Sequence, residues 1–245
     1  MEPVYAPVIA LARTLFALEG LKFTLSGTEH VPRRGGAVMV INHTGYMDFT
    51  YAGWAAKPAG RYVRFMAKES VFRHRVSGPL MRGMKHIPVD RAQGAQSYRT
   101  AVDNLGAGEI VGVFPEATIS QSFELKEFKN GAARMAREAG VPILPTVIWG
   151  SQRVWTKGHP KRLGRTGVPI TVDIGAPVRV GPDDDVDVVT AAVRETMTGM
   201  LHRAQEAYEP LTGADRIFLP ARLGGSAPTL EEATAAEVAE RRRRA

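Results

Sequence analysis

The spacing of apolar and polar positions changes period repeatedly along the chain. Short apolar or β-branched runs fall at residues 21–25, 37–41, 62–67, 86–89, 110–114, 143–149 and 170–174, the lengths expected of strands. Between them lie helix-like stretches at 47–56, 71–84, 92–105 and 131–139. This alternation predicts an α/β fold with a mixed, mostly parallel central sheet flanked by helices. A further helix is expected over 184–208, opened by Asp183, Asp184 and Asp185, whose charge suits the positive end of a helix dipole. At the front, Tyr5, Val8, Ile9, Ala12, Phe16 and Leu18 lie mostly at helical spacing, and Ala10, Leu11 and Leu15 make the other face apolar too. An amphipathic N-terminal helix with so little polar surface must bury it in a core or at a bilayer interface.

Beyond Pro210 the pattern gives way to Gly, Pro and Ala, with ARLGGSAP reading as a linker. The last stretch, TLEEATAAEVAERRRRA, has good helix formers and little to bury, so it is expected to pack weakly or be disordered. Its terminal arginines read as a solvated end or an electrostatic membrane contact rather than a nucleic-acid arm.

Composition narrows the chemistry. The chain has 245 residues, 44% of them hydrophobic and 23% charged, which suits a globular body with a sizeable core. No stretch stays uncharged and apolar for the ~18 residues that a spanning helix needs. The N-terminus lacks a basic leader region and carries Glu2 and Arg13, so it reads as retained and not as a secretory signal. There is no cysteine, which excludes a thiol nucleophile, a disulfide framework, a zinc–thiolate site and an iron–sulfur cluster. The net charge of +7 is concentrated in residues 57–91, where nine basic residues face two acidic ones. Such a field attracts nucleic acid, anionic lipid or a polyphosphate ligand, unless it is simply a solvated basic face.

Two polar clusters follow directly on buried-looking strands, the place where open α/β sheets hold their ligands. The first is Asn42, His43, Thr44, Gly45, Tyr46, Met47, Asp48, after AVMVI. On one continuous helix His43 and Asp48 would sit about 140° apart and could not meet. With His43 in the turn and Asp48 in the first helical turn, the imidazole folds back onto the carboxylate. That dyad would fix the ring tautomer and free the other nitrogen to take a proton. With no cysteine and no G-x-S-x-G elbow, the nucleophile would be a substrate hydroxyl. On the pair alone, a surface histidine beside a helix-capping aspartate reads equally well. The second cluster, FPEATIS after IVGVF, is followed by Lys126 to Ala133 opening a helix, a plausible phosphate cradle.

Taken together these blocks resemble the glycerolipid acyltransferases of the 1-acylglycerol-3-phosphate acyltransferase family. The N-H-x-x-x-x-D motif stands as NHTGYMD, the strand ending in an aspartate–arginine pair as Asp90–Arg91, F-P-E-G-T-R-S as FPEATIS with the downstream block FKNGAARMAREAG, and the fourth motif as VPILPTVIWG. The resemblance implies transfer of a fatty acyl group from acyl-CoA or acyl carrier protein to a lysophospholipid hydroxyl, making phosphatidic acid when the acceptor is 1-acylglycerol 3-phosphate. It implies His43 as general base and Asp48 as its orienting partner, with Arg91, Glu116, Thr118 and Lys129 holding the acceptor and Asn42 and Gly131 as further substrate-binding positions. No metal or redox cofactor and no nucleic acid is implied. The division is then a membrane-interface helix over 1–20, one α/β acyltransferase domain over 21–210 and a linker with a charged tail over 211–245. The protein is expected on the cytoplasmic face of the cell membrane, held peripherally by an anionic surface. Ile119 and Ala117 depart from the family's arginine and glycine. Isoleucine cannot bind a phosphate. That leaves Arg91, with Lys126, Lys129 or Arg82, to do so, or points to another lysophospholipid or a glycolipid as acceptor.

Overall fold

The computed structural model describes residues 3–90 and 94–244. Among the described residues seven strands are present: β1 (Lys22–Ser26), β2 (Ala37–Ile41), β3 (Val63–Lys68), β4 (Ile87–Val89), β5 (Ile110–Val113), β6 (Ile143–Trp149) and β7 (Pro169–Ile174). They form one sheet in the order β1-β7-β6-β2-β5-β3-β4, parallel throughout except between β6 and β7. The described residues also form eight α-helices: α1 (Tyr5–Leu18), α2 (Asp48–Ala55), α3 (Glu69–Arg73), α4 (Ser77–Gly83), α5 (Gly94–Gly106), α6 (Gly131–Ala139), α7 (Val186–Glu206) and α8 (Leu230–Arg244). The expected α/β architecture is the one found.

β2 lies mid-sheet, and all five of its residues are buried. Its side chains alternate between two cores, as the period of a strand requires. Val38 and Val40 pack with Ala101 of α5, Met135 of α6 and Met197 of α7 on one face. Ala37, Met39 and Ile41 pack with Phe16 of α1 and Tyr51 of α2 on the other. A strand covered on both faces is apolar throughout, which is why AVMVI shows no alternation.

The helix expected over 71–84 is two helices, α3 and α4. Ser77 Oγ and Arg82 take the carbonyls of Val71 and Phe72 at 2.8 and 2.7 Å, so side chains of the second piece satisfy the end of the first. Gly78 is required there, because a Cβ would come within 2.3 Å of Phe72 O. α1 packs on one side only. Tyr5 donates its hydroxyl to Val63 O at 2.7 Å and Phe16 lies against Phe23 and Tyr51, while Leu11, Leu15 and Leu18 are exposed. No helix among the described residues is long and apolar enough to cross a membrane.

The last stretch, expected to pack weakly, is α8, and it docks through side chains. Glu237 meets Lys126, and Glu240 meets Lys157.

Candidate active site

Parallel pairing brings the C-terminal ends of β5, β2 and β6 side by side, with Val40 opposite both Val113 and Pro145. The loops that follow these three strands therefore converge. β2 delivers His43 and Asp48, β5 delivers Glu116, and β6 delivers Ser151.

Asp48 is the first residue of α2 and is fully buried. Its Oδ2 accepts from His43 Nδ1 at 2.9 Å, from the Thr44 backbone N–H at 2.8 Å and from that of Gly45 at 2.9 Å. Its Oδ1 accepts from the Ser151 hydroxyl. A carboxylate only accepts, so the shared proton sits on Nδ1 and leaves Nε2 as the ring nitrogen open to a substrate. The helix start adds a favourable dipole to the buried negative charge. Gly45 is needed for room: a Cβ there would lie 2.8 Å from Ser151 Oγ, and its φ is not positive.

The FPEATIS turn clamps His43 from the other side. The His43 backbone N–H donates to Glu116 Oε1 at 2.8 Å, and the Ser120 N–H donates to His43 O at 2.7 Å. Glu116 Oε2 accepts from the Lys126 N–H at 3.1 Å, tying in the segment before α6. Burial pushes the Glu116 carboxyl up to about 7, against the pull of these two N–H bonds and of the Lys126 and His43 charges. Phe114 stacks on the imidazole with ring centroids 4.3 Å apart.

His43 opens onto a cavity of about 630 Å³. Phe49, Phe65, Met66, Met81, Val113 and Met135 give it apolar walls, and the exposed Lys68 and Lys129 lie on its lining. Gly131, the first residue of α6, also lines it and has open space where a Cβ would be. The other expected residues are placed differently. Thr118 faces α8, donating its hydroxyl to Glu237 Oε1 at 2.7 Å. Asn42 turns into the fold, where its amide gives to Ile148 O at 3.0 Å and takes from Ile148 N–H at 2.7 Å, stitching β2 to β6. Ile119 is buried. Arg91 lies outside the described residues.

A model of the acyltransferase family matches residues 22–149, from β1 to the end of β6. The chain belongs to the acyltransferase family. A Bacillus subtilis 1-acyl-sn-glycerol-3-phosphate acyltransferase is 30% identical over 137 residues, covering 54% of this chain and 67% of that one. A Limnanthes douglasii protein of the same name is 28% identical over 201 residues, covering 80% and 68%. The enzyme is thus an acyltransferase of the 1-acyl-sn-glycerol-3-phosphate acyltransferase family. Its fold is also that of the 1-acyl-sn-glycerophosphate (LPA) acyltransferase PlsC from Thermotoga maritima, with a TM-score of 0.66 over 81% of this chain and 78% of that one at 22% identity.

The acyltransferase has one polar group at this centre that the motifs did not single out. Ser151 follows β6 as His43 follows β2 and Glu116 follows β5, so the same strand-end rule would have flagged it. Glu237 carried no such signal, lying about a hundred residues beyond the segment it touches.

Proposed function

We propose that this acyltransferase moves a fatty acyl group from a thioester donor, acyl-CoA or acyl carrier protein, to the free hydroxyl of 1-acylglycerol 3-phosphate, making phosphatidic acid. The observation that carries the reading is the His43–Asp48 contact at 2.9 Å beside an apolar cavity of about 630 Å³. His43 Nε2 takes the hydroxyl proton as the oxygen attacks the thioester carbonyl. Asp48 stabilises the imidazolium that forms. The tetrahedral intermediate then collapses, the C–S bond breaks, and the thiolate leaves with the proton from His43. Residues and two substrates balance this chemistry, with no step assigned to a metal or redox group.

The apolar walls suit an acyl chain, and Lys129 and Arg91 are assigned to the acceptor phosphate. The curated relatives are named for the same acceptor. A second reading, another lysophospholipid or a glycolipid as acceptor, is favoured by buried Ile119 in the arginine's place and by a carboxylate, Glu237, on the nearby Lys126.

Delivery from a membrane is part of the proposal. Leu11, Leu15 and Leu18 of α1 and Val71, Val76 and Leu80 of the α3–α4 region are exposed. The two regions adjoin, since Tyr5 packs with Phe72, Met81 and Met84. Exposed Lys68, Arg73, Arg75, Arg82 and Lys85 lie on α3 and α4 or within two residues of their ends. Apolar insertion and basic charge together are what peripheral attachment to an anionic, cytoplasmic-face bilayer requires.

The test is thiol release from acyl-CoA, which should appear only with a lysolipid acceptor, followed by product analysis across an acceptor panel. His43→Ala should lower kcat by on the order of a hundredfold or more. Near-normal turnover in that variant would remove His43 as the base. Release without an acceptor would make the protein a thioesterase instead.

A further inference from the structure

Behind Asp48 lies a hydroxyl whose placement leaves it little other use. Ser151 is fully buried, donates to Asp48 Oδ1, and has Thr44 Oγ1 within 3.1 Å. The backbone has been thinned to admit it, because any Cβ on Gly45 would collide with Ser151 Oγ and O. Three donors already converge on Oδ2, and among the described residues Ser151 alone engages the other oxygen.

We propose that Ser151 is a positioning residue for acyl transfer, acting on His43 through Asp48. The inference rests on the reading of His43 as general base. By holding Oδ1, the hydroxyl fixes rotation of the carboxylate and keeps Oδ2 on Nδ1. Removing it leaves a buried carboxylate oxygen without its donor. The carboxylate is then free to turn, and Oδ2 is no longer held on Nδ1 as the imidazolium forms.

The groups facing His43 are Asp48 from α2, Glu116 after β5, Phe114, and Tyr46, Lys68, Tyr98 and Lys129 on the shared cavity. Of these, Ser151 touches only Asp48.

In the full-length chain, Ser151→Ala should lower kcat about ten- to a hundredfold, the effect of losing one hydrogen bond to a charged group. Both KM values should stay near wild type. On an Asp48→Asn background, Ser151→Ala should add almost nothing, because the contact it breaks no longer matters there. If Ser151→Ala melts well below wild type, Ser151→Cys, which keeps the volume and donates weakly, should show the same loss of kcat at unchanged KM. Wild-type turnover would overturn the proposal, and so would a full additional loss on the Asp48→Asn background. Activity surviving in His43→Ala would instead strike at the base assignment.

The C-terminal helix supplies a separate device. Glu237 of α8 lays its carboxylate on the third-motif side of the site, accepting from Thr118 Oγ1 at 2.7 Å and from Lys126 Nζ at 3.1 Å. Lys126 also touches the Thr118 hydroxyl, and Glu240 accepts from Lys157 at 2.5 Å. Between α8 and Glu116, Lys126 and Arg194 lies a cavity of about 740 Å³.

We infer that α8 is an autoinhibitory contact, its Glu237 holding the cation and hydroxyl that an acceptor's anionic group would use. This too rests on a proposed acceptor site, one in which Thr118 and Lys126 join Lys129 and Arg91 at the acceptor's anionic group. The arginine run ends the same helix, with Arg242 and Arg243 exposed, so an anionic bilayer would pull on the element that must move.

With dispersed short-chain 1-acylglycerol 3-phosphate and the full-length chain, Glu237→Gln should lower the acceptor KM severalfold and leave the donor KM unchanged. Glu240→Gln should act in the same direction. An unchanged or raised acceptor KM in Glu237→Gln would overturn the gate. Lys126→Ala should raise the acceptor KM. If it does not, the acceptor lies elsewhere and the acceptor-site reading fails along with the gate.

Discussion

Ala117 shows what a single residue carries at this site. Its φ of 63° lies in the left-handed region, at the position where the family motif has glycine. A Cβ there costs about 1–2 kcal/mol, while glycine costs only about 0.4–1 kcal/mol through the unfolded chain. Ala117→Gly should therefore raise stability by roughly 0.5–1 kcal/mol, read from urea denaturation midpoints. Two buried titratable groups make a second prediction. Burial, with Arg64 nearby, pushes His86 down to about 4, and its Nδ1 accepts from the Phe65 N–H at 3.0 Å. Unfolded, it takes up a proton near its ordinary 6.5, so its share of stability is lost as pH falls from about 6.5 to about 4. Glu116 has the opposite sign. Folded, it keeps its proton up to about 7, whereas the unfolded chain releases it near 4.5, so its share declines as pH rises through that window. The two offset each other between about 4.5 and 6.5 in the wild type. Stability of Glu116→Gln measured against pH should show the His86 slope uncovered, falling more steeply on acidification than wild type. A parallel pair of curves would contradict the Glu116 assignment.

Among the elements, α1 is divided in its loyalties. Its apolar residues run round most of its circumference, which is why the sequence leaves core and bilayer open. The fold uses the stripe with Tyr5 and Phe16 and leaves Leu11, Leu15 and Leu18 in the open. Phe16→Ala should cost about 3–5 kcal/mol, as removal of a buried aromatic ring does. Replacing Leu11, Leu15 and Leu18 together by serine should change stability by less than about 1 kcal/mol. It should nevertheless shift the protein from vesicle pellet to supernatant in sedimentation with anionic liposomes. Equal pelleting of that triple variant would place the membrane contact elsewhere. The α3–α4 break was not legible, because it depends on the Phe72 carbonyl meeting Gly78 and Arg82 from the following helix. Helical periodicity records which face is apolar and not where carbonyls find other partners.

Across the whole molecule, the basic segment is less of a surface feature than its count suggests. Arg61 donates to the carbonyls of Pro32, Gly35 and Gly108, and Arg64 is buried with Met84 O and Glu109. Both cations are spent inside the fold. In the proposed membrane attachment, the charge left around α3 and α4 would steer the protein to an anionic surface and α1 would add an apolar hold. Raising the salt should therefore release the protein from anionic vesicles only in part, since screening weakens charge and not burial. Complete release would leave the exposed leucines without a role.

By itself the sequence determined the seven strands, most of the helices, the α/β class and the two clusters around His43 and Glu116. These follow from local periodicity and from polar residues placed directly after buried strands. Only the tertiary structure decided which clusters meet, because that depends on β5 and β6 flanking β2 and on their register. It also decided that Asn42 links strands, that Ser151 stands behind Asp48, and that Glu237 covers Thr118. Each of these is a contact between residues roughly a hundred positions apart, formed by side chains that local pattern leaves indistinguishable from ordinary surface or turn residues.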